Sequence, residues 1–295
     1  MPQLWQDRAG KFSALKAITL ILLCLPVCWI AGQFIFDQLG PRPINESVHL
    51  VGQWTLRLLL ITLAVTPARR IFKWSKLVLV RRMLGVATAI YAGLHLLDYM
   101  TDLNFAPGQI AFEITTRIYL VIGMVALIGL TILGITSTDR WIRRLGKSWQ
   151  KLHYLVYGIA VLGTIHYFMQ SKLNVSEPIF LAGYLGWLLG YRLLDRYLPL
   201  AMVKAPWLLA LYAMLAAALT MLGEAAYLNL QVHAPFERVM AANFSLSTGL
   251  RPAVVVLVTG LGIALLALIQ PFARIAGEAI AGRIATLRQA SRATP

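Results

Sequence analysis

The stretch IYLVIGMVALIGLTILGIT, residues 118–136, contains no charged residue. An α-helix rises about 1.5 Å per residue, so roughly 20 apolar residues span the hydrocarbon core of a lipid bilayer. In lipid the backbone must satisfy its own hydrogen bonds, and a helix does so within a single segment. This stretch therefore predicts a transmembrane helix.

Seven further apolar runs of similar length accompany this stretch. Hydrophobic residues make up 59% of the 295-residue chain, and charged residues make up only 13%. The runs predict an all-α fold, a polytopic membrane helical bundle of about eight transmembrane helices, at residues 17–36, 48–66, 83–100, 118–136, 152–169, 179–194, 206–223 and 253–273. The longest loop, 224–250, is too short for a nucleotide-binding domain, and we detect no internal repeat along the chain.

The basic residues explain the net charge of +15 without a nucleic-acid partner. They concentrate in alternate loops, which is the positive-inside pattern of membrane proteins. This pattern predicts that both termini are cytoplasmic and that the charge meets anionic lipid headgroups. The predicted inner side carries 21 of the 27 basic residues: Arg8, Lys11, Lys16, Arg69, Arg70, Lys73, Lys76, Arg81, Arg82, Arg140, Arg143, Arg144, Lys147, Lys151, Arg192, Arg196, Lys204, Arg274, Arg283, Arg288 and Arg292.

Three of the five histidines lie inside predicted spans. Ionisable residues in a membrane are costly and are functional candidates by default, and neutral imidazole is a common axial ligand of haem iron. The predicted topology places His95 and His166 at the same depth near the outer side, where they could ligate one haem. His153 lies 13 residues before His166, about 20 Å further in, where a second haem would lack an obvious second histidine. The alternative for each histidine is a hydrogen-bonded residue inside the bundle.

Other polar residues are weaker candidates for cofactor binding. Arg57 lies deep in the second run and needs a partner, for which a haem propionate, a quinone oxygen, a backbone carbonyl or a distant acid would serve. Arg117 begins the fourth run and could hold a propionate or anchor the interface. His49 could contact a quinone or the haem edge, or be an ordinary interfacial histidine. Cys24 and Cys28 are read as small apolar residues of the first helix.

Three stretches together resemble the MsrQ (YedZ) family of the ferric-reductase-like transmembrane group. They are GQWTLRLLLITLAVTPARR at 52–70, RRMLGVATAIYAGLHLLDY at 81–99 and LGKSWQKLHYLVYGIAVLGTIHYF at 145–168. The resemblance covers 48–198 closely. It implies that His95, His153 and His166 are haem ligands, so that these three are the predicted metal ligands, and it places a basic residue at Arg57.

The resemblance also implies the protein's partners and location. Electrons would come from the quinone pool, with FMN as an associated flavin, and would pass through one or two b-type haems. They would reach a periplasmic molybdopterin-containing reductase of the MsrP type, which repairs methionine sulfoxide in oxidised proteins. The chain would then be a subunit in a bacterial inner membrane rather than a complete enzyme.

The chain departs from the family pattern after its sixth run, where two more runs follow. We therefore expect three parts: an N-terminal helix and loop at 1–47, a haem-binding domain at 48–198, and a two-helix extension with a cytoplasmic tail at 199–295. One rival reading is a transmembrane ferric or other metal reductase. A second is a transporter or assembly factor with structural histidines.

Overall fold

The computed structural model describes residues 5–6, 10–171, 174–245 and 249–293, with side chains up to residue 272. Within these residues the regular structure is helical, apart from an isolated bridge between Gln6 and Phe12. A 3₁₀ turn at Ser75–Leu77 precedes α3. The helices are α1 Ala14–Ile35, α2 Pro43–Ile71, α3 Val78–Asp102, α4 Pro107–Thr116, α5 Ile118–Ile135, α6 Asp139–Leu145, α7 Lys147–His153, α8 Leu155–Gln170, α9 Ser176–Tyr197, α10 Leu200–Val203, α11 Pro206–Val232, α12 Phe236–Ala242 and α13 Pro252–Ala293.

Seven helical segments of the described residues are long and apolar enough to cross a membrane. They confirm the predicted multi-pass helical architecture and correspond to α1, α2, α3 with its 3₁₀ turn, α5, α7 with α8, α11, and Pro252–Phe272 of α13. The sixth predicted run, 179–194, forms α9 but is absent from the seven. Arg192 and Asp195 lie within this helix, together with several glycine and tyrosine residues, and lower its mean hydropathy. Eight crossings therefore remain a prediction.

Several predicted features lie outside the described side chains. Arg8 belongs to the residues that the structure does not describe, and the same holds for the side chains of Arg274, Arg283, Arg288 and Arg292. The sidedness of the termini likewise stays a prediction from the positive-inside pattern.

The chain divides into two compact units. One comprises Met1–Arg69 and Trp74–Leu189, and the other comprises Arg70–Lys73 and Gly190–Pro295. The first unit contains every predicted cofactor-binding residue. The three-part division at 47/48 and 198/199 remains a prediction.

In the first unit, Tyr91 of α3 ties α3 to α1 beside a proline. Pro26 lies inside α1, and proline lacks the N–H that a helix interior requires. The Tyr91 hydroxyl donates to the Leu23 carbonyl at 2.7 Å and accepts from the Val27 N–H at 3.2 Å. One side chain thus inserts into the hydrogen-bond ladder of α1, a known cause of helix distortion.

The predicted fifth span is interrupted between its two histidines. α7 ends at His153 and α8 starts at Leu155, with Tyr154 between them. The Tyr154 N–H donates to the Lys151 carbonyl and the Tyr157 N–H donates to the Tyr154 carbonyl, each at 3.2 Å. Such i→i+3 bonds tighten a turn. His153 therefore ends one helix, while His166 lies on the next.

In the second unit, α11 is longer than the predicted seventh span. The helix continues to Val232, and α12 follows at Phe236–Ala242, so much of the predicted loop 224–250 is helical. Glu224 is buried, pairs with Arg251 at 3.1 Å and accepts from the Asn243 amide at 3.1 Å. A carboxylate that is paired in this way is compatible with a helix interior. The helix therefore continues through Glu224 instead of ending at residue 223, where the predicted seventh span ends.

Candidate functional site

A cavity of about 340 Å³ lies inside the first unit, between α2, α3, α4, α5 and α8. Four of the six predicted site residues line it: His49, His95, Arg117 and His166. Leucine, alanine and glycine residues form much of the wall. The fold thus brings the two depth-matched histidines into one apolar chamber.

His95 and His166 face each other across this cavity. Their ring centres are 6.3 Å apart and their ring planes are inclined at 80°. His95 lies on α3 and His166 lies on α8, so each helix supplies one imidazole. The two histidines that the topology places at the same depth in the membrane are therefore close together in the structure.

Each of these imidazoles is oriented by a carbonyl of a neighbouring helix. His95 Nδ1 lies 2.8 Å from the Val48 carbonyl on α2, and His166 Nδ1 lies 2.7 Å from the Tyr119 carbonyl on α5. A carbonyl can only accept, so each Nδ1 carries the proton and donates it. The Nε2 of each neutral ring then keeps its lone pair, the form in which imidazole binds a metal.

The spacing of the two rings fits axial ligation of one haem iron. A metal–imidazole bond is about 2 Å long and a ring centre lies about 1 Å behind the ligating nitrogen, so two rings on opposite sides of one ion have centres about 6 Å apart. The observed 6.3 Å agrees with this value. The donor set and the apolar wall therefore fit a haem held by two imidazoles.

His153 lies apart from this pair. Its ring stacks on Trp149 with ring centres 3.9 Å apart, its Nδ1 lies 3.0 Å from the Trp149 carbonyl, and its Nε2 lies 3.3 Å from the Ser137 hydroxyl. Both ring nitrogens thus have protein partners. The described residues contain no group of three or more His, Cys, Asp or Glu side chains arranged for a metal ion.

Arg57 contacts an acid rather than the cavity. Its Nε donates to Glu177 Oε1 at 2.8 Å, a terminal nitrogen pairs with the same carboxylate, and the guanidinium lies 4.9 Å from the Trp54 ring centre. Tyr167, which lines the cavity, hydrogen-bonds to Glu177 and to Gln53. Among the partners considered for Arg57, the structure places a distant acid beside it.

Arg117 stands at the cavity rim. It donates to the Tyr119 hydroxyl at 3.0 Å, and this bond raises the pKa of the Arg117 guanidinium. Glu113 lies 3.6 Å from Arg117 and accepts from the Tyr99 hydroxyl at 3.0 Å. Half of the Arg117 side chain is exposed, so its charge remains accessible at the rim.

Several residues of this site were absent from the sequence-based prediction. Glu177 lies 120 residues from Arg57, and Gln53, Tyr99 and Tyr167 carry no spacing signal that marks a cavity wall. Tyr167 immediately follows His166, so its neighbour in the sequence was the available clue.

The cavity, its facing imidazoles and the helical fold define a class of membrane proteins that carry electrons through haem. Residues 51–164 match the family model described as ferric reductase like transmembrane component. No solved structure matches the chain significantly.

Curated relatives narrow the class to one family. A protein of Rhodospirillum rubrum is 42% identical over 190 residues, which cover 64% of this chain and 89% of that protein. A protein of Xanthomonas campestris pv. campestris is 43% identical over 169 residues, covering 57% and 78% respectively. Both are named protein-methionine-sulfoxide reductase heme-binding subunit MsrQ. The chain belongs to the MsrQ family and has a membrane haem electron-transfer role, which confirms the family predicted from the sequence.

Proposed function

We propose that this chain is the b-type haem subunit that passes electrons from the quinone pool, or from a flavin such as FMN, to a periplasmic molybdopterin-containing reductase of the MsrP type. The partner would repair methionine sulfoxide in oxidised proteins. The observation that carries this proposal is the pair of facing imidazoles, His95 and His166, with ring centres 6.3 Å apart. The names of the relatives support the link to methionine sulfoxide reduction.

In this proposal His95 and His166 would hold the haem iron, and the Val48 and Tyr119 carbonyls hold their rings in the required tautomer. Haem supplies one-electron transfer between ferric and ferrous iron. The leucine, alanine and glycine residues of the wall lower the local polarity, which tunes the reduction potential. The protein's contribution is thus orientation, burial and electrostatics.

The remaining predicted residues take different roles. Arg117, exposed at the rim of the cavity that His49 also lines, is the candidate partner for a propionate. Arg57 is satisfied by Glu177 and has a structural role here, rather than binding a propionate or a quinone. A second haem at His153 would require its Nε2 to leave Ser137, so the site at His95 and His166 is the one we assign.

The protein is proposed to lie in a bacterial inner membrane with both termini cytoplasmic. The positive-inside pattern of the basic residues supports this orientation. His95 and His166 would then lie nearer the periplasmic side, where a soluble acceptor could receive electrons.

The test is the haem content of purified variants. We expect His95→Ala and His166→Ala each to lose most of the bound haem, because each removes one of two axial ligands. Reduced-minus-oxidised spectra and haem quantitation per protein give the measurement. His233→Ala, at the C-terminal end of α11 in the other unit, serves as the control and should retain haem. Full haem retention in both test variants would reject the assignment.

A second candidate function, ferric reduction, is favoured by the family-model match over residues 51–164. The two functions differ in the electron acceptor. Co-purification of a molybdopterin protein, with electron transfer from the reduced chain to it, would support the first proposal. Rapid reduction of a ferric chelate without such a partner would support the second.

A further inference from the structure

The two facing histidines each rest against a glycine of a neighbouring helix. A Cβ atom built on Gly52 would lie 2.9 Å from His95 Cε1, and one built on Gly123 would lie 2.7 Å from His166 Nδ1. Real Cβ atoms do not approach ring atoms this closely. Each imidazole therefore occupies space that any other residue at position 52 or 123 would fill.

Each ring forms its hydrogen bond with the same neighbouring helix that carries its glycine. The spacing in sequence between the carbonyl and the glycine is the same in both cases. The Val48 carbonyl lies four residues before Gly52, and the Tyr119 carbonyl lies four residues before Gly123. In an α-helix these residues are adjacent along one face, one turn apart. The glycine thus opens the helix surface at the point where the imidazole reaches the carbonyl one turn earlier.

The two halves of the cavity repeat each other along the chain. Positions 48, 52 and 95 recur as 119, 123 and 166, an offset of 71 residues each time. Eleven cavity-lining residues of α2 and α3 have a lining residue 71 positions later in α5 or α8. The two halves of the wall therefore share a spacing of positions that the sequence analysis did not detect, although only four of the eleven pairs carry the same residue. The glycine–histidine contact occurs in both halves, so it is not an isolated feature of one helix pair.

We propose that Gly52 and Gly123 are positioning residues that set the direction of the two axial imidazoles. This inference rests on the proposed haem ligation by His95 and His166. Each glycine lets one ring lie against a helix backbone, donate its Nδ1–H to a carbonyl and direct its Nε2 into the cavity. A methyl group at either position displaces the ring and lengthens or breaks that hydrogen bond.

The variants Gly52→Ala and Gly123→Ala test this inference. We expect each to lower haem per protein at least threefold, or to retain haem with a changed midpoint potential and a changed low-spin ferric electron paramagnetic resonance spectrum. That spectrum reports the angle between two axial imidazole planes, which is 80° here. Matched controls are Gly93→Ala on α3 and Gly158→Ala on α8, because a Cβ at either position meets nothing within 4 Å.

A double variant separates the ring contact from a general effect on folding. In His95→Ala the ring is gone, so adding Gly52→Ala should leave protein yield and thermal unfolding unchanged. If Gly52→Ala alone gives no folded protein but the double variant does, the ring contact is the cause. If adding Gly52→Ala still lowers the yield or the thermal stability relative to His95→Ala alone, the ring contact is not the cause and the positioning role is wrong.

The outcomes also distinguish this inference from the proposed function. Glycine variants that match the Gly93→Ala and Gly158→Ala controls in haem content, potential and spectrum would overturn the inference while leaving haem ligation intact. Haem retention in both His95→Ala and His166→Ala would instead remove the function on which the inference rests.

Discussion

At the scale of single residues, the three partly buried histidines His95, His153 and His166 differ in which carbonyl orients them. His95 and His166 donate to carbonyls 47 residues away, on neighbouring helices. His153 uses the Trp149 carbonyl, four residues earlier in its own helix. A ring held by its own helix depends only on local structure, whereas a ring held by a neighbouring helix is correctly oriented only when both helices are packed. Haem affinity at the paired site should therefore report on helix packing.

The Arg57–Glu177 pair leads to a prediction about stability. Glu177→Gln leaves the Arg57 guanidinium without its counter-ion in a partly buried position. We expect a loss of about 1–3 kcal/mol in the free energy of unfolding, between the effects at exposed and fully buried pairs. The apparent melting temperature of the detergent-solubilised protein gives the measurement.

A double variant supplies the control for this pair. Arg57→Met combined with Glu177→Gln removes both charges, and we expect most of the lost stability to return, because no uncompensated charge remains. If the double variant is less stable than Glu177→Gln alone, the two residues do not act as a pair. The sequence could not reveal this pairing, since 120 residues separate its members.

At the scale of helices, the Tyr91 hydroxyl joins α3 to the distorted ladder of α1. Tyr91→Phe leaves the Leu23 carbonyl and the Val27 N–H without this partner in a buried position. Because the Leu23 carbonyl and the Val27 N–H are four residues apart in α1 and can then bond to each other, we expect a loss of about 0.5–1.5 kcal/mol, the usual net contribution of one hydrogen bond. Thermal unfolding measures it, and Tyr197→Phe, at an exposed position, is the control. Equal stability of the two variants would contradict this role for Tyr91.

The sequence predicted a helix well where the length of an apolar run determines its ends. It predicted a helix poorly where contacts with other helices determine its ends. The run at 118–136 became α5 at Ile118–Ile135, because nothing but lipid-compatible side chains occurs there. The end of α11 was misplaced, because Glu224 looked like a loop residue until its partners Arg251 and Asn243 were known. The spacing shared by the two cavity walls escaped detection because most of its paired positions carry different residues in the two halves.

At the scale of the whole molecule, the cavity lies within the first compact unit. Every residue that lines it precedes residue 171. We therefore expect a chain ended after residue 198 to bind haem with the same spectrum as the full chain. Haem content and the reduced-minus-oxidised spectrum provide the measurement.

The same truncation carrying His166→Ala should lose the haem and serves as the control. Loss of haem from the truncation itself would show that the two-helix extension contributes to the site. The predicted depth match of His95 and His166 came from topology alone. The angle between their rings and the glycines that contact them became known only from the packing of the helices in the structure.

Four of the eleven paired positions in the cavity walls carry the same residue in both halves, and a porphyrin has differently substituted edges. After exchange of its left and right edges, a bound porphyrin would meet the same residues at those four positions and different residues at the other seven. The positions at which the walls differ can favour one orientation, among them His49 against Leu120, Gln53 against Met124, Leu96 against Tyr167, and Tyr99 against Gln170. The choice between the two orientations thus rests on a few polar side chains rather than on the ligands that hold the metal.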